Sequence, residues 1–102
     1  MSGCEVFGEV ENSVLASDVT ISKGAIVKNS IIMSDVKIDE GAIVEYSIVD
    51  EGTSIGKNAV IGEDKANKKG ITVLSRMINI GEGAKIEGGS IIDKDVYKEE
   101  NL

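Results

Sequence analysis

No histidine, tryptophan or proline occurs among the 102 residues; there is one cysteine, and two tyrosines and one phenylalanine are the only aromatic residues. Each absence removes a class of chemistry. Without imidazole the chain has no side chain whose ordinary pKa lies near neutrality, and a histidine general base and a three-nitrogen zinc site are both excluded. Cys4 has no partner for an internal disulfide, which fits a reducing, cytoplasmic setting. No apolar run exceeds three residues, so neither a transmembrane span nor a signal-peptide apolar region is present. The formal charge of −7 opposes nucleic-acid binding, which needs a concentrated basic surface; the acidic excess reads as a solvated outer face. With so few aromatic rings, buried area must come from Ile and Val, and β-branched residues favour pleated surfaces packed in layers.

What is present is a repeat. Val10-Glu-Asn-Ser-Val14 returns as Val27-Lys-Asn-Ser-Ile31 and as Val44-Glu-Tyr-Ser-Ile48. Such a fixed period marks a solenoid whose units bury their apolar face only by stacking. Each period divides into rows of six, six and five residues. The rows start at Val10, Leu15, Ile21, Val27, Ile32, Ile38, Val44, Val49, Ile55 and Ile61, all aliphatic. Four places after these starts, the six-residue rows carry Val19, Ala25, Val36, Ala42, Thr53 and Ala59, small enough for a tight corner. Just before those stand Asp18, Gly24, Asp35, Gly41, Gly52 and Asn58, residue types that tolerate left-handed backbone. Each row is therefore a short strand and a bend. Three rows make one triangular coil, and coils stack about 4.8 Å apart through parallel pairing. No helical stripe competes. The expected fold is all-β: a single-stranded parallel β-helix of 17–18 residues per coil, whose handedness the period leaves open.

The pattern breaks after Ile61. Residues 62–70 are polar and read as a loop thrown out of the coil. Rows resume at Leu74, Ile80, Ile86 and Ile92, with Gly83, Gly89 and Asp95 in the turn column. The β-helix domain is expected over residues 1–97, and 98–102 as a polar tail.

Chemistry-bearing constellations are sparse. Gly81-Glu-Gly83-Ala-Lys-Ile86 lacks the third glycine and the strand-to-helix context of a dinucleotide fingerprint, and corner glycines explain it. Asp39/Glu40 and Asp50/Glu51 sit beside turns, where a solvated face outweighs a catalytic dyad. Two features stand out more. Ile26, Ile43 and Val60 each precede a row start, so strand alternation points them outward as one apolar strip, an interface candidate. Arg76, the only arginine, follows the break, with Lys68 and Lys69 nearby in sequence; guanidinium suits bidentate recognition of phosphate.

Gly3-Cys4-Glu-Val-Phe-Gly8-Glu-Val-Glu-Asn-Ser-Val14-Leu15, with Gly24-Ala-Ile-Val-Lys-Asn-Ser-Ile-Ile-Met33, resembles the C-terminal domain of ADP-glucose pyrophosphorylase (glucose-1-phosphate adenylyltransferase). Gly70-Ile-Thr-Val-Leu-Ser-Arg76 is similar to a later stretch of that family, and the likeness runs from about Gly3 to Val96. Phe7 departs from the small residue or Asn of its turn column. The resemblance implies a left-handed β-helix. It implies a parent nucleotidyltransferase that makes ADP-glucose from ATP and glucose 1-phosphate with Mg²⁺ for glycogen or starch synthesis. Its catalytic residues would lie in an N-terminal domain absent from this sequence. This domain would then be non-catalytic and cofactor-free. Its partners would be that catalytic domain, other subunits of a homo- or hetero-oligomer, and an anionic sugar-phosphate effector held by Arg76, Lys68 and Lys69. A stand-alone β-helix interaction protein, or the same domain of another sugar-nucleotide pyrophosphorylase, remains the alternative.

Overall fold

A computed structural model describes residues 3–64, 66 and 68–98. Fifteen short strands form three five-stranded parallel sheets. The first stacks β1 (Glu5–Val6), β4 (Thr20–Ile21), β7 (Lys37–Ile38), β10 (Ser54–Ile55) and β13 (Asn79–Ile80). The second stacks β2 (Glu9–Glu11), β5 (Ile26–Lys28), β8 (Ile43–Glu45), β11 (Val60–Ile61) and β14 (Lys85–Ile86). The third stacks β3 (Val14–Leu15), β6 (Ile31–Ile32), β9 (Ser47–Val49), β12 (Thr72–Leu74) and β15 (Ile91–Ile92). The chain visits the sheets in strict rotation, so each visit to all three is one coil of a parallel β-helix. No α-helix occurs among the described residues.

The row starts form the core. Ile21, Ile38 and Ile55 stack in register in the first sheet, Val27, Val44 and Ile61 in the second, and Ile32 and Val49 in the third. All are buried, as are the small corner residues Val19, Ala25, Val36, Ala42, Thr53 and Ala59. The corners work as their composition predicts. Asp18, Gly24, Asp35, Gly41, Gly52, Asn58, Gly83 and Gly89 all have positive φ. At the corner from first to second sheet, Ala25, Ala42, Ala59 and Ala84 donate to the carbonyl three residues earlier, at 3.1–3.3 Å. With a left-handed third residue these are type II turns.

The five-residue rows turn differently. Asn12, Asn29 and Tyr46 take positive φ, and a shortened row deprives the next amide of a carbonyl acceptor below it. Serine hydroxyls supply one: Ser30 N donates to Ser13 Oγ at 3.0 Å and Ser47 N to Ser30 Oγ at 3.1 Å. Each hydroxyl in turn donates to the carbonyl two residues back.

Three departures from the regular coil have local causes. Residues paired across the break are 25 apart instead of 17, an insertion of eight placed between β11 and β12. In the first coil the Phe7–Gly8 corner is two residues shorter than the Ser22–Ala25 corner above it. Gly8 makes that possible, since a Cβ there would lie 2.5 Å from the Ala25 carbonyl oxygen; Phe7 swings outward, 65% exposed. At the other end the expected row after Ile92 stops early. Val96 bridges Ile80, and Asp95, expected in the turn column, does not take a left-handed φ. Its carboxylate instead accepts the Asn79 amide at 2.8 Å. Lys98 packs over Gly83, and residues 99–102 of the expected tail lie outside the described residues.

Candidate functional site

Since one backbone pattern is repeated three times, the outward columns of the three faces can be compared directly. On the first sheet that column is Glu5, Thr20, Lys37, Ser54 and Asn79, polar throughout. On the second it is Glu9, Ile26, Ile43, Val60 and Lys85. The strip expected from sequence is thus formed: Ile26, Ile43 and Val60 are half-buried neighbours on consecutive rungs. It is short, closed by a charge at each end, and flanked by a Lys28–Glu11 ion pair at 3.7 Å.

The third face carries Val14, Ile31, Ile48, Val73 and Ile91, apolar on every rung. Val14 is 62% exposed, Ile31 44% and Ile91 76%, with Ile48 and Val73 half-buried. Met33 and Ile71 are exposed beside this column. The sequence reading missed this longer ladder although the signal was the same: each member immediately precedes an inward row start.

The structure does not gather the three basic candidates into one site. Arg76 is exposed in the corner between β12 and β13. Lys68 and Lys69 belong to the inserted segment, at the corner before β12. Lys69 is already engaged, its Nζ lying 3.0 Å from Glu87 Oε2. Around that pair the insertion is pinned to the last coil. Glu63 Oε2 accepts the Gly88 amide at 3.0 Å, and Thr72 Oγ1 accepts the Gly89 amide at 3.1 Å. Gly89 is needed there, because a Cβ would collide with the Lys69 carbonyl.

The Glu87 hydrogen bond, then the nearby Glu63 charge, raise the Lys69 pKa above the ordinary lysine value. A raised folded pKa means the clamp acts fully below the unfolded value of about 10.4 and fades as pH climbs through the folded one. Glu87→Gln should therefore lower the Lys69 ammonium titration midpoint, followed by NMR of its side chain. An unmoved midpoint would mean the pair does not form in solution.

Nothing else among the described residues gathers reactive groups. No cluster of three or more His, Cys, Asp or Glu could hold a metal ion, and no buried side-chain nitrogen or oxygen lacks a hydrogen-bond partner. Asp50 accepts the amide of Glu51 at 2.6 Å, tying it to its own turn. Cys4 Sγ donates to the Ala16 carbonyl at 2.9 Å and is partly buried, a structural role at the start of the coil. A recess of about 570 Å³ at the far end is lined by Gly83, Lys85, Val96, Tyr97 and Lys98; with two lysines and no carboxylate it offers no acid–base pair.

Residues 1–77 match the family described as GlmU-like, C-terminal hexapeptide. No curated protein matches the sequence. The match covers the first four coils, β1 to β12, with the insertion inside the fourth, and so most of the six-residue rows, buried aliphatic starts and left-handed corners. The chain therefore belongs to the GlmU-like, C-terminal hexapeptide family, and its solenoid is a hexapeptide-repeat left-handed β-helix.

Proposed function

We propose that this chain is the C-terminal regulatory and oligomerisation domain of a glucose-1-phosphate adenylyltransferase, the enzyme that joins ATP and glucose 1-phosphate to give ADP-glucose and diphosphate. The observation that carries the reading is the opening segment from Gly3 to Leu15, which resembles that enzyme's β-helix domain and is built into the first coil by Cys4 and Gly8. The family match favours a nucleotidyltransferase or acyltransferase parent. The absence of histidine removes the usual base for acyl transfer from this domain, which favours the nucleotidyltransferase.

In this reading the chain does no chemistry. Triphosphate binding and Mg²⁺ coordination need a phosphate cradle and paired carboxylates, and both are assigned to a separate catalytic domain. The β-helix contributes a rigid surface. Ile26, Ile43 and Val60 form a strip that packs against that domain or a neighbouring subunit. Arg76 supplies a guanidinium for an anionic metabolite; Lys68 and Lys69 stand at the other end of β12, where Lys69 is held by Glu87.

The test is an effector titration of the full-length enzyme carrying Arg76→Ala. A charge-assisted contact is worth about 1.5–3 kcal/mol, so activation should weaken by roughly ten- to a hundredfold while basal ADP-glucose formation holds. The isolated chain should form no ADP-glucose. An activation constant within about twofold of wild type, well below one such contact, would return Arg76 to the solvated surface. A full-length parent that uses a different sugar 1-phosphate would assign the domain to another sugar-nucleotide pyrophosphorylase.

A further inference from the structure

We propose that the recess at the far end of the solenoid binds the dianionic group of a small phosphate monoester. Gly83, Lys85, Val96, Tyr97 and Lys98 line it around a volume of about 570 Å³. All five lie beyond the matched segment 1–77, and none of Arg76, Lys68 or Lys69 is among them. The proposal therefore stands whether or not the reading of the parent enzyme does.

Strand polarity leaves hydrogen-bond donors at this end. In the second sheet Val60 N donates to the Ala84 carbonyl and Gly62 N to the Ile86 carbonyl, each on the rung above. Val60 pairs with Lys85, so the equivalent amides one rung on are those of Lys85 and Glu87. β14 is the last strand of its sheet, and no described residue stands above it to accept them. The terminal bridge of Val96 to Ile80 covers the first sheet instead. The Lys85 amide is thus a free donor beside the recess, and a free backbone donor seeks an acceptor.

Side chains add the charge. Lys98 runs across Gly83, its Cδ 3.2 Å from where a Cβ would stand, and brings a second ammonium group to the recess. Among the described residues neither Lys85 nor Lys98 is in an ion pair, and no carboxylate lines the recess. Glu87 is taken by Lys69 and Asp95 by the Asn79 amide, while Glu82 stays outside the lining. With 18 acidic residues against 11 basic ones, two lysines left without a carboxylate at one recess point to an anion from outside. Two ammonium groups and an amide match a phosphate dianion, whereas a single carboxylate would leave one charge uncompensated. The Tyr97 ring rests on Gly81, where a Cβ would lie 2.6 Å from its Cδ1. With Val96 it supplies an apolar wall for the carbon portion of the ester.

Titration of the full chain with phenyl phosphate, followed by amide NMR, should move the Lys85 and Glu87 resonances saturably and leave the first three coils still. Lys85→Ala and Lys98→Ala should each weaken binding by roughly tenfold or more. Lys37→Ala, which removes an exposed lysine of the first face, should not. Arg76→Ala should also leave binding unchanged, so this site and the effector site of the parent enzyme succeed or fail separately. Tyr97→Ala should weaken phenyl phosphate and spare inorganic phosphate. Circular dichroism of each variant verifies that the coil persists. No saturable shift by about 10 mM phenyl phosphate, equal binding of benzoate, or an affinity indifferent to both Lys85→Ala and Lys98→Ala overturns the proposal.

Discussion

Ile38→Ala should cost about 3–5 kcal/mol of stability, the upper part of the range for truncating a buried isoleucine. Ile38 is fully buried and stacks between Ile21 below and Ile55 above. The strands carrying it are hydrogen-bonded on both edges: Lys37 N to the Thr53 carbonyl and Asp39 N to the Ile55 carbonyl above, Ser22 N to the Ile38 carbonyl from below. A cavity there cannot close without breaking a ladder, so little of the loss is recovered by relaxation. Against a total of about 5–15 kcal/mol for a typical domain, the protein should sit near its unfolding threshold. Melting should fall by roughly 15–30 °C. Ile92→Ala, in the last coil and partly exposed, should lose only about 1 kcal/mol, since it surrenders less buried area and has a neighbour on one side only. Urea titrations of the two variants check the contrast. Equal losses would mean the coils do not share stability through their neighbours as stacking requires.

Gly62→Ala should be among the most damaging glycine substitutions, costing about 2–4 kcal/mol from two sources. The residue has φ of 78°, a left-handed conformation that strains any L side chain. An added Cβ would also collide with the Glu45 carbonyl and lie 2.7 Å from Ser47 Oγ, at the point where the chain leaves the coil for the insertion. Backbone cannot yield there, because Gly62 N donates to the Ile86 carbonyl at 2.9 Å. Gly24→Ala is the internal control. It has a similar φ of 81°, yet its Cβ would meet nothing closer than Gly41 N at 3.6 Å, so only the conformational cost of about 1 kcal/mol remains. Denaturant midpoints of both variants separate strain from collision. A Gly62→Ala midpoint no lower than that of Gly24→Ala would show that the carbonyl gives way.

The regular part of this fold was legible because three signals agree at each six-residue row. An aliphatic start, a Gly, Asn or Asp three places on, and a small residue after it are each required by the geometry of a coil. Where fewer constraints operate, the sequence says less. Met77 occupies the left-handed corner above Gly52 although its side chain gives no reason to expect it; the missing Cβ at Gly52 leaves room for its thioether. Tyr46 does the same at a five-residue corner, where Asn12 and Asn29 alone would have revealed the turn. The early end at Val96 depends on one carboxylate finding the Asn79 amide, a contact between distant residues that no local pattern encodes.

The candidate sites were harder to read. Outward register was correct for Ile26, Ile43 and Val60, but ranking that strip required knowing how exposed each face is, and exposure depends on neighbours in other coils. Grouping Lys68, Lys69 and Arg76 by sequence proximity failed for a simpler reason. A strand of the third sheet lies between them and carries them to different corners of the triangle, and Glu87, from the following coil, claims Lys69.

The eight-residue insertion has a consequence for how this chain can change length. It enters and leaves at one corner, and pairing resumes on the same three sheets, with Ile61 under Ile86 and Val49 under Leu74. Added residues are therefore invisible to the ladders: the coil counts rungs, not residues. Closing a longer excursion at such a corner costs only about 0.6 kcal/mol per doubling of its length, whereas one residue added inside a strand would turn every later side chain of that rung inside out. The corner between the second and third sheets is thus a port where new sequence, and with it new recognition, can be hung on an unaltered prism.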